Sequence, residues 1–155
     1  MTNSSAADPA ELSVGCISVS AALGGSEWSL LDFARRAAAN RIAATVVVPK
    51  DGPLAEQARG AGLPVLIAPA SEDFLAQSQH AVISLGGAMT FARGLHAWSA
   101  AIRAALVKQA GGLPAVLYSN GFKAHLAGTL VRGPSHVWHL REFPPWPDLG
   151  GVGLT

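Results

Sequence analysis

The 155-residue sequence is poor in cysteine and in charge, and both shortages narrow what the protein can be. Cys16 is the only cysteine, so the chain cannot form an internal disulfide or a cysteine-based metal site. Charged residues make up 14% of the chain and the formal net charge is +1, which leaves no basic excess to attract nucleic acid or an anionic membrane. The sequence therefore predicts no nucleic-acid partner and a location in the reducing cytoplasm.

Long apolar runs and metal-ligand spacings are also missing. No apolar run approaches the roughly 20 residues that a membrane-spanning helix needs, so we expect no membrane span. Residues 1–11 are polar and lack the basic-then-apolar order of a signal peptide, and we interpret them as a disordered tail. No metal site is predicted, because no metal-binding spacing connects a carboxylate with the histidines His80, His96, His125 and His136.

Apolar residues, by contrast, make up 50% of the chain, which is enough to build the core of one domain. Short, continuous apolar runs alternate with amphipathic helical patterns, as is typical of a parallel sheet with helices on both faces. We predict a single, incomplete, doubly wound, Rossmann-like α/β domain over 12–143 and an irregular Pro/Gly-rich tail over 144–155. The predicted strands are 12–20, 42–48, 64–67, 115–118 and 136–140, and the predicted helices are 26–40, 54–60, 88–110 and 122–131. Residues 69–90 are ambiguous, and 82–85 fits either a short strand or a loop.

The first candidate site is the small-residue loop between the first predicted strand and helix. Gly24 and Gly25 allow a close approach of a ligand to the backbone, and free amides at a helix start favour an anionic group. Ser26 is the predicted N-cap, with Glu27 favourably placed in the first helical turn. The alternative interpretation is a tight turn that needs glycine for a positive φ. The spacing does not fit the Gly-x-Gly-x-x-Gly pattern of dinucleotide binders.

Polar residues also follow two later strands, at ends where α/β sheets bind ligands. His139 ends an otherwise apolar strand, and it is either a site residue or a core histidine satisfied by backbone. Asn120 and Lys123 flank Gly121 at a strand-to-helix junction. Alternatively, Asn120 only caps that helix and Lys123 is only a solvated surface residue. These positions and the first glycine loop are expected to converge on one edge of the sheet.

Four stretches in this order resemble the N-terminal domain of family-4-type glycosyltransferases, which are retaining enzymes with two Rossmann-like domains. The likeness extends from about residue 12 to about residue 143. The stretches are Leu23–Leu31, with its Gly-Gly-x-Glu entry to a helix, Thr45–Leu54, Ala61–Val65, and the pair Tyr118–His125 and Val137–Glu142.

The resemblance implies transfer of a sugar from a nucleoside-diphosphate sugar to a hydroxyl acceptor, with no metal or other cofactor. It implies that His139 is the catalytic residue that contacts the transferred sugar. The glycine loop would approach the donor diphosphate or the acceptor, and Asn120 and Lys123 would line the acceptor pocket. The implied substrate-binding residues are Gly24, Gly25, Ser26, Asn120 and Lys123.

The family also needs a second domain to hold the nucleotide sugar, and the sequence reaches Thr155 before any such domain. We therefore expect little turnover from the chain alone, and a partner domain or chain to cover apolar surface around Phe143, Trp146 and Leu149. Two alternatives remain open. One is a non-catalytic binding module or an inactive remnant that needs a partner chain, and the other is a nucleotide-dependent oxidoreductase.

Overall fold

The structure, a computed structural model, describes residues 12–77 and 85–140, which build one five-stranded parallel sheet in the order β3-β2-β1-β4-β5. The strands are β1 (Ser13–Ser18), β2 (Ala43–Val48), β3 (Val65–Ile67), β4 (Val116–Asn120) and β5 (Ser135–His139). The helices are α1 (Gly25–Ala39), α2 (Pro53–Gly60), α3 (Glu72–Ala76), α4 (Leu85–Gln109) and α5 (Phe122–Leu130). The sequence-based prediction of a doubly wound α/β fold is confirmed.

Helices cover both faces of the sheet. Side chains that alternate along each strand therefore pack into two separate cores, one on each face. On β2, for example, Val46 and Val48 face one layer while Val47 faces the other. The first core joins the sheet to α1 and α2 through Cys16, Val46, Val48, Leu30, Leu31, Ala34, Leu54 and Ala58. The second joins it to α3, α4 and α5 through Ile17, Val47, Leu117, Phe74, Phe91, Trp98, Ile102, Leu106, Ala124 and Ala127. Because both faces of the sheet are covered at β2, that strand is mostly apolar, and Val46, Val47 and Val48 are all fully buried.

Two boundaries near the predicted site differ from the sequence-based expectation. Gly24, not Ser26, is the N-cap of α1, and Ser26 already lies inside the helix. The reason is that the Glu27 carboxylate accepts a hydrogen bond from the Gly24 amide, as the residue three positions after the N-cap does in a capping box. Asn120 belongs to β4 and not to the loop after it, because it pairs with strands on both sides.

The ambiguous stretch contains a short helix, α3, which the sequence signals only through Ser71. The Ser71 hydroxyl accepts a hydrogen bond from the Phe74 amide at 3.3 Å, as an N-cap does. The next helix, α4, begins at Leu85, three residues earlier than predicted, so residue 85 is neither strand nor loop. The other predictions for 78–84, the two tails and the apolar surface around Phe143 fall outside the described residues. None of the described helices is long and apolar enough to cross a membrane.

Candidate functional site

The carboxyl ends of three neighbouring strands place three polar side chains in one row. Ser18 of β1 is in register with Asn120 of β4, and Asn120 is in register with His139 of β5. Neighbouring strands lie about 4.8 Å apart, so the row spans only about 10 Å. We call Ser18, Asn120 and His139 the rim row. The predicted convergence of the first and later strand ends is thus built into the register of the sheet.

Two nitrogen atoms of the rim row are buried without a hydrogen-bond partner among the described residues. They are Nδ2 of Asn120 and Nδ1 of His139. The Asn120 side chain is only 3% exposed, whereas His139 is half-buried. Leaving a buried polar group unpaired costs about 1–3 kcal/mol, so such groups usually have a partner. The pair makes the rim row a candidate ligand site, because residues 12–77 and 85–140 supply no hydrogen-bond partner for either nitrogen.

Glu27 holds the glycine loop against this row, although sequence reasoning gave it no more than a favourable place in the helix. Its carboxylate accepts hydrogen bonds from the Gly24 amide at 3.1 Å and from the Ser26 hydroxyl at 2.9 Å. It also accepts a hydrogen bond from the buried Ser18 hydroxyl at 3.5 Å, which connects the start of α1 to the rim row. Glu27 is buried at the positive end of the α1 dipole, where a carboxylate is stabilised. The signal available in the sequence was its position three residues after the N-cap.

The glycines of this loop are not there for backbone conformation, so the turn interpretation based on positive φ is wrong. Gly24 has a φ of −126°, and Gly25 is not among the positive-φ glycines. A Cβ on Gly24 would come within 2.9 Å of a Glu27 carboxylate oxygen, whereas one on Gly25 would meet nothing within 4 Å. Gly24 therefore makes room for Glu27, and Gly25 leaves open space beside the start of α1.

His139 lies on the α1 side of the sheet, next to a pair of stacked aromatic rings. Its ring centroid is 5.5 Å from that of Tyr118, which stacks on Phe33 of α1 at 4.1 Å and 12°. The aromatic neighbours orient the imidazole, while its Nδ1 atom has no partner among residues 12–77 and 85–140. The interpretation of His139 as a core histidine satisfied by backbone finds no support at this nitrogen.

Lys123 points away from the rim row and is bound to the end of α3. Its ammonium donates to the carbonyls of Phe74 and Leu75, both at 2.6 Å, and lies 5.2 Å from the Phe74 ring centroid. Burial lowers the pKa of Lys123 from its ordinary value. An open depression at this edge is lined by Val19, Ser20, Leu75, Phe122 and Lys123, without Asn120 or His139. The amine is thus engaged in joining α3 to α5 and is not simply a solvated surface group.

Replacing Lys123 by methionine tests this connection, because methionine keeps the apolar stem and removes the ammonium. Hydrogen bonds to charged groups contribute about 1.5–3 kcal/mol, and this site is partly exposed, so we expect a loss of about 1–2 kcal/mol in the free energy of unfolding. Urea denaturation followed by circular dichroism measures it.

Lys50→Met is the matched control, since Lys50 also contacts α3, through an exposed ion pair with Glu72 at 3.6 Å. Exposed pairs of this kind contribute at most about 1 kcal/mol and often nothing measurable. Equal losses from the two variants would show that the Lys123 hydrogen bonds carry no special weight.

Solved structures that share this fold include HepE of Anabaena in complex with UDP-glucose, with a TM-score of 0.57 and 19% identity, where the match covers 84% of this chain and 29% of that chain. A glycosyltransferase from Rickettsia africae matches with a TM-score of 0.58 and 8% identity, over 90% of this chain and 32% of that chain. MurG of Acinetobacter baumannii matches with a TM-score of 0.53 and 13% identity, over 83% of this chain and 34% of that chain. The chain has the same Rossmann-like α/β fold as these structures over the part that matches. It spans about a third of the length of these structures. No protein-family model and no curated protein sequence matches it.

The likeness rests on the whole sheet and its helices, since between 83% and 90% of this chain superposes on each neighbour. At identities of 8–19% it establishes the fold and assigns no role to a side chain. No cluster of three or more metal-ligating side chains occurs in the part of the chain that the structure describes. The rim row lies at the carboxyl edge of the parallel sheet, where open α/β sheets bind their ligands.

Proposed function

We propose that this chain is the acceptor-side, N-terminal portion of a glycosyltransferase, which moves a sugar from a nucleoside-diphosphate sugar to a hydroxyl acceptor. The observation that carries the proposal is the rim row, where Nδ2 of Asn120 and Nδ1 of His139 are buried without a partner among the described residues. An amide N–H and an imidazole nitrogen are suitable partners for sugar hydroxyl groups, which both donate and accept hydrogen bonds.

The neighbouring structures support a sugar nucleotide as the ligand class. HepE of Anabaena has been solved with UDP-glucose and with UDP and glucose. The proposed roles follow the geometry. Asn120 donates to a hydroxyl, His139 contacts the transferred sugar, and Gly24 and Gly25 leave the start of α1 open to the ligand. Ser26 supports the loop through Glu27, and Lys123 shapes the edge by fixing α3.

Turnover is a separate matter, because the chain covers only 29–34% of the neighbouring structures. A complete reaction needs groups that stabilise the charge developing on the leaving diphosphate. We propose that these groups belong to a second domain or a partner chain, and that residues 1–155 alone bind ligand with little or no turnover. Steady release of UDP from UDP-glucose by the purified chain would contradict this part of the proposal.

A calorimetric titration with UDP-glucose, UDP and glucose tests the binding proposal. Because the second domain is the one expected to hold the nucleotide, we expect UDP-glucose to bind this chain weakly, through the transferred sugar. Asn120→Ala and His139→Ala should each weaken that binding by about tenfold, since each removes one hydrogen bond from a buried partner. Thr90→Ala is the control, because Thr90 is an exposed residue of α4 whose hydroxyl donates to the Gly86 carbonyl of its own helix.

The variants also show whether the rim row contacts the sugar or the nucleotide of UDP-glucose. If UDP alone loses affinity in Asn120→Ala as strongly as UDP-glucose does, the rim row contacts the nucleotide and not the sugar, which contradicts the assigned roles. If UDP-glucose binds equally well to all four proteins, the rim row is not the site and the proposal fails.

A cytoplasmic location stays a prediction that cell fractionation can check.

A further inference from the structure

A second polar cluster lies on the opposite face of the sheet from His139, between α5 and the edge strand β5. It consists of Ser119, His125, His136 and Trp138, and we call it the histidine relay. The Ser119 hydroxyl is 2.7 Å from Nδ1 of His125 and 2.8 Å from Nε2 of His136. The Trp138 indole N–H donates to Nδ1 of His136 at 3.1 Å, and its ring stacks on His125 at 5.1 Å and 9°.

The indole fixes the direction of the hydrogen bonds that His136 makes to Trp138 and to Ser119, because tryptophan can only donate. Nδ1 of His136 must therefore accept, which places the proton of the neutral ring on Nε2. That Nε2–H donates to the Ser119 oxygen, and the Ser119 hydroxyl is then free to donate to Nδ1 of His125. Trp138, His136, Ser119 and His125 thus form one chain of donors in a single direction, with both imidazoles neutral.

The space for this arrangement is reserved by Gly128 of α5. A Cβ at that position would lie 2.6 Å from Nε2 of His136 and 2.7 Å from its Cε1 atom. The His136 ring therefore packs directly against the α5 backbone at Gly128, where a side chain would leave no room for it. Among the described residues β5 is an edge strand with β4 as its one neighbour in the sheet, and α5 packs against it.

We propose that the histidine relay locks the edge strand β5, and with it His139 of the rim row, onto β4 and α5 while both imidazoles are neutral, and that acid releases this strand. The device is independent of the proposed function, since it requires only the contacts of β5. Its consequence is that the placement of His139 depends on pH through His136, a residue on the other face of the sheet.

The two histidines respond differently to a proton. If His125 gains a proton on Nδ1, the Ser119 hydroxyl can turn toward the Val137 carbonyl at 3.4 Å and accept instead. If His136 gains a proton on Nδ1, that N–H faces the indole N–H and the hydrogen bond to Trp138 is lost. The Thr129 oxygen, 3.3 Å away, is the acceptor that remains for it. His136 is therefore the sensitive member.

The surroundings disfavour protonation of both rings. Burial lowers the pKa of His136, and burial together with the charges of His136 and His139 lowers the pKa of His125. No acidic side chain of the described segments forms an ion pair with either ring. The neighbouring cations are already engaged: Arg103 of α4 donates to the carbonyl of Arg132, and Lys123 donates to α3.

The sign of the pH dependence follows from these directions. The pKa values of His125 and His136 are lower in the folded protein than in the unfolded chain, where histidine titrates at about 6.5. Below that pH the unfolded state binds more protons. The contribution of these histidines to the free energy of unfolding is therefore complete above about pH 6.5 and is lost as the pH falls below it. The loss should begin at β5, because that strand depends on the neutral relay.

Two NMR measurements on the ¹⁵N-labelled chain test the proposal. Long-range ¹H–¹⁵N spectra at about pH 7.5 should show His125 and His136 as Nε2–H tautomers, and the Trp138 indole proton should shift as His136 titrates. Hydrogen exchange, corrected for intrinsic rates, should be about tenfold faster for β5 amides at about pH 5 than at about pH 7.5, with β2 amides unchanged. An Nδ1–H tautomer of His136, or equal acceleration in β5 and β2, would overturn it.

Two variants keep the test decisive. Trp138→Phe retains the stacking ring and removes the indole N–H, so His136 should titrate at a higher pH than in the parent chain. An unchanged His136 midpoint in that variant contradicts the relay. His136→Asn keeps an oxygen acceptor near the Nδ1 position and cannot titrate. It should abolish the acid response of β5, and persistence of that response would equally overturn the proposal.

Discussion

Replacing Trp98 by alanine should remove about 3–5 kcal/mol from the free energy of unfolding, as other large-to-small changes in cores do. Trp98 is fully buried in the second core, where its ring packs against Phe74 at 5.9 Å. Its indole N–H also donates to the Ala68 carbonyl at 3.0 Å, which ties α4 to the end of β3. Because domains are stable by only about 5–15 kcal/mol, we expect a partly unfolded protein at 37 °C.

Two further variants divide this effect into packing and hydrogen bonding. Trp98→Phe keeps most of the ring and loses the indole N–H, and it should cost about 1–3 kcal/mol because the buried Ala68 carbonyl is left unpaired. Trp28→Ala is the control for a tryptophan that does not serve the core, since Trp28 is 47% exposed. It should change the free energy of unfolding by about 0.5 kcal/mol or less. Similar losses at positions 98 and 28 would contradict the placement of α4.

Replacing Glu27 by alanine should have the second-largest effect, about 2–3 kcal/mol, and should also disturb the rim row. The change leaves the Gly24 amide and the hydroxyls of Ser18 and Ser26 without their shared acceptor. It also removes a negative charge from the start of α1. Thermal unfolding measures the loss, and the amide resonances of Gly24 and Asn120 report the change at the rim row.

Glu27→Gln keeps one carbonyl acceptor and should lie between the parent chain and the alanine variant. Asp32→Ala controls for the loss of an acidic residue on the same helix, because the Asp32 side chain is 62% exposed and forms a surface ion pair with Arg36 at 2.8 Å. That variant should change stability by about 0.5 kcal/mol or less. If Asp32→Ala costs as much as Glu27→Ala, the capping role of Glu27 is wrong.

Most of the strand and helix pattern was predictable because the central strands are mostly apolar and the longer helices have an apolar face. Apart from the starts of α1 and α4 and the short helix α3, the error at the end of β4 falls where polar residues are buried. Ser119 and Asn120 looked like a loop because hydroxyl and amide side chains usually mark turns. In the structure the Ser119 hydroxyl is hydrogen-bonded to two histidines, and the Asn120 backbone lies in register between Ser18 of β1 and His139 of β5.

The site was predictable only as far as the order of strands allows. Carboxyl ends of parallel strands meet at one edge, so Asn120 and His139 could be placed there from the sequence. The sequence cannot show that Lys123 binds α3, because the carbonyls of Phe74 and Leu75 are some fifty residues away and belong to an element that had not been assigned. Nor could it show that His125 and His136 share one serine, since only the pairing of β4 with β5 brings them together.

Ligand binding at the rim row is tested most directly by an NMR titration that follows the side-chain amide protons of Asn120 and the imidazole of His139 while UDP-glucose is added. We expect both resonances to shift with the same saturation curve, together with the backbone amides of Gly24 and Gly25. Shifts that cluster instead at the opposite edge of the sheet, around Ser13, Thr45 and Gly112, with Asn120 and His139 unchanged, would contradict it.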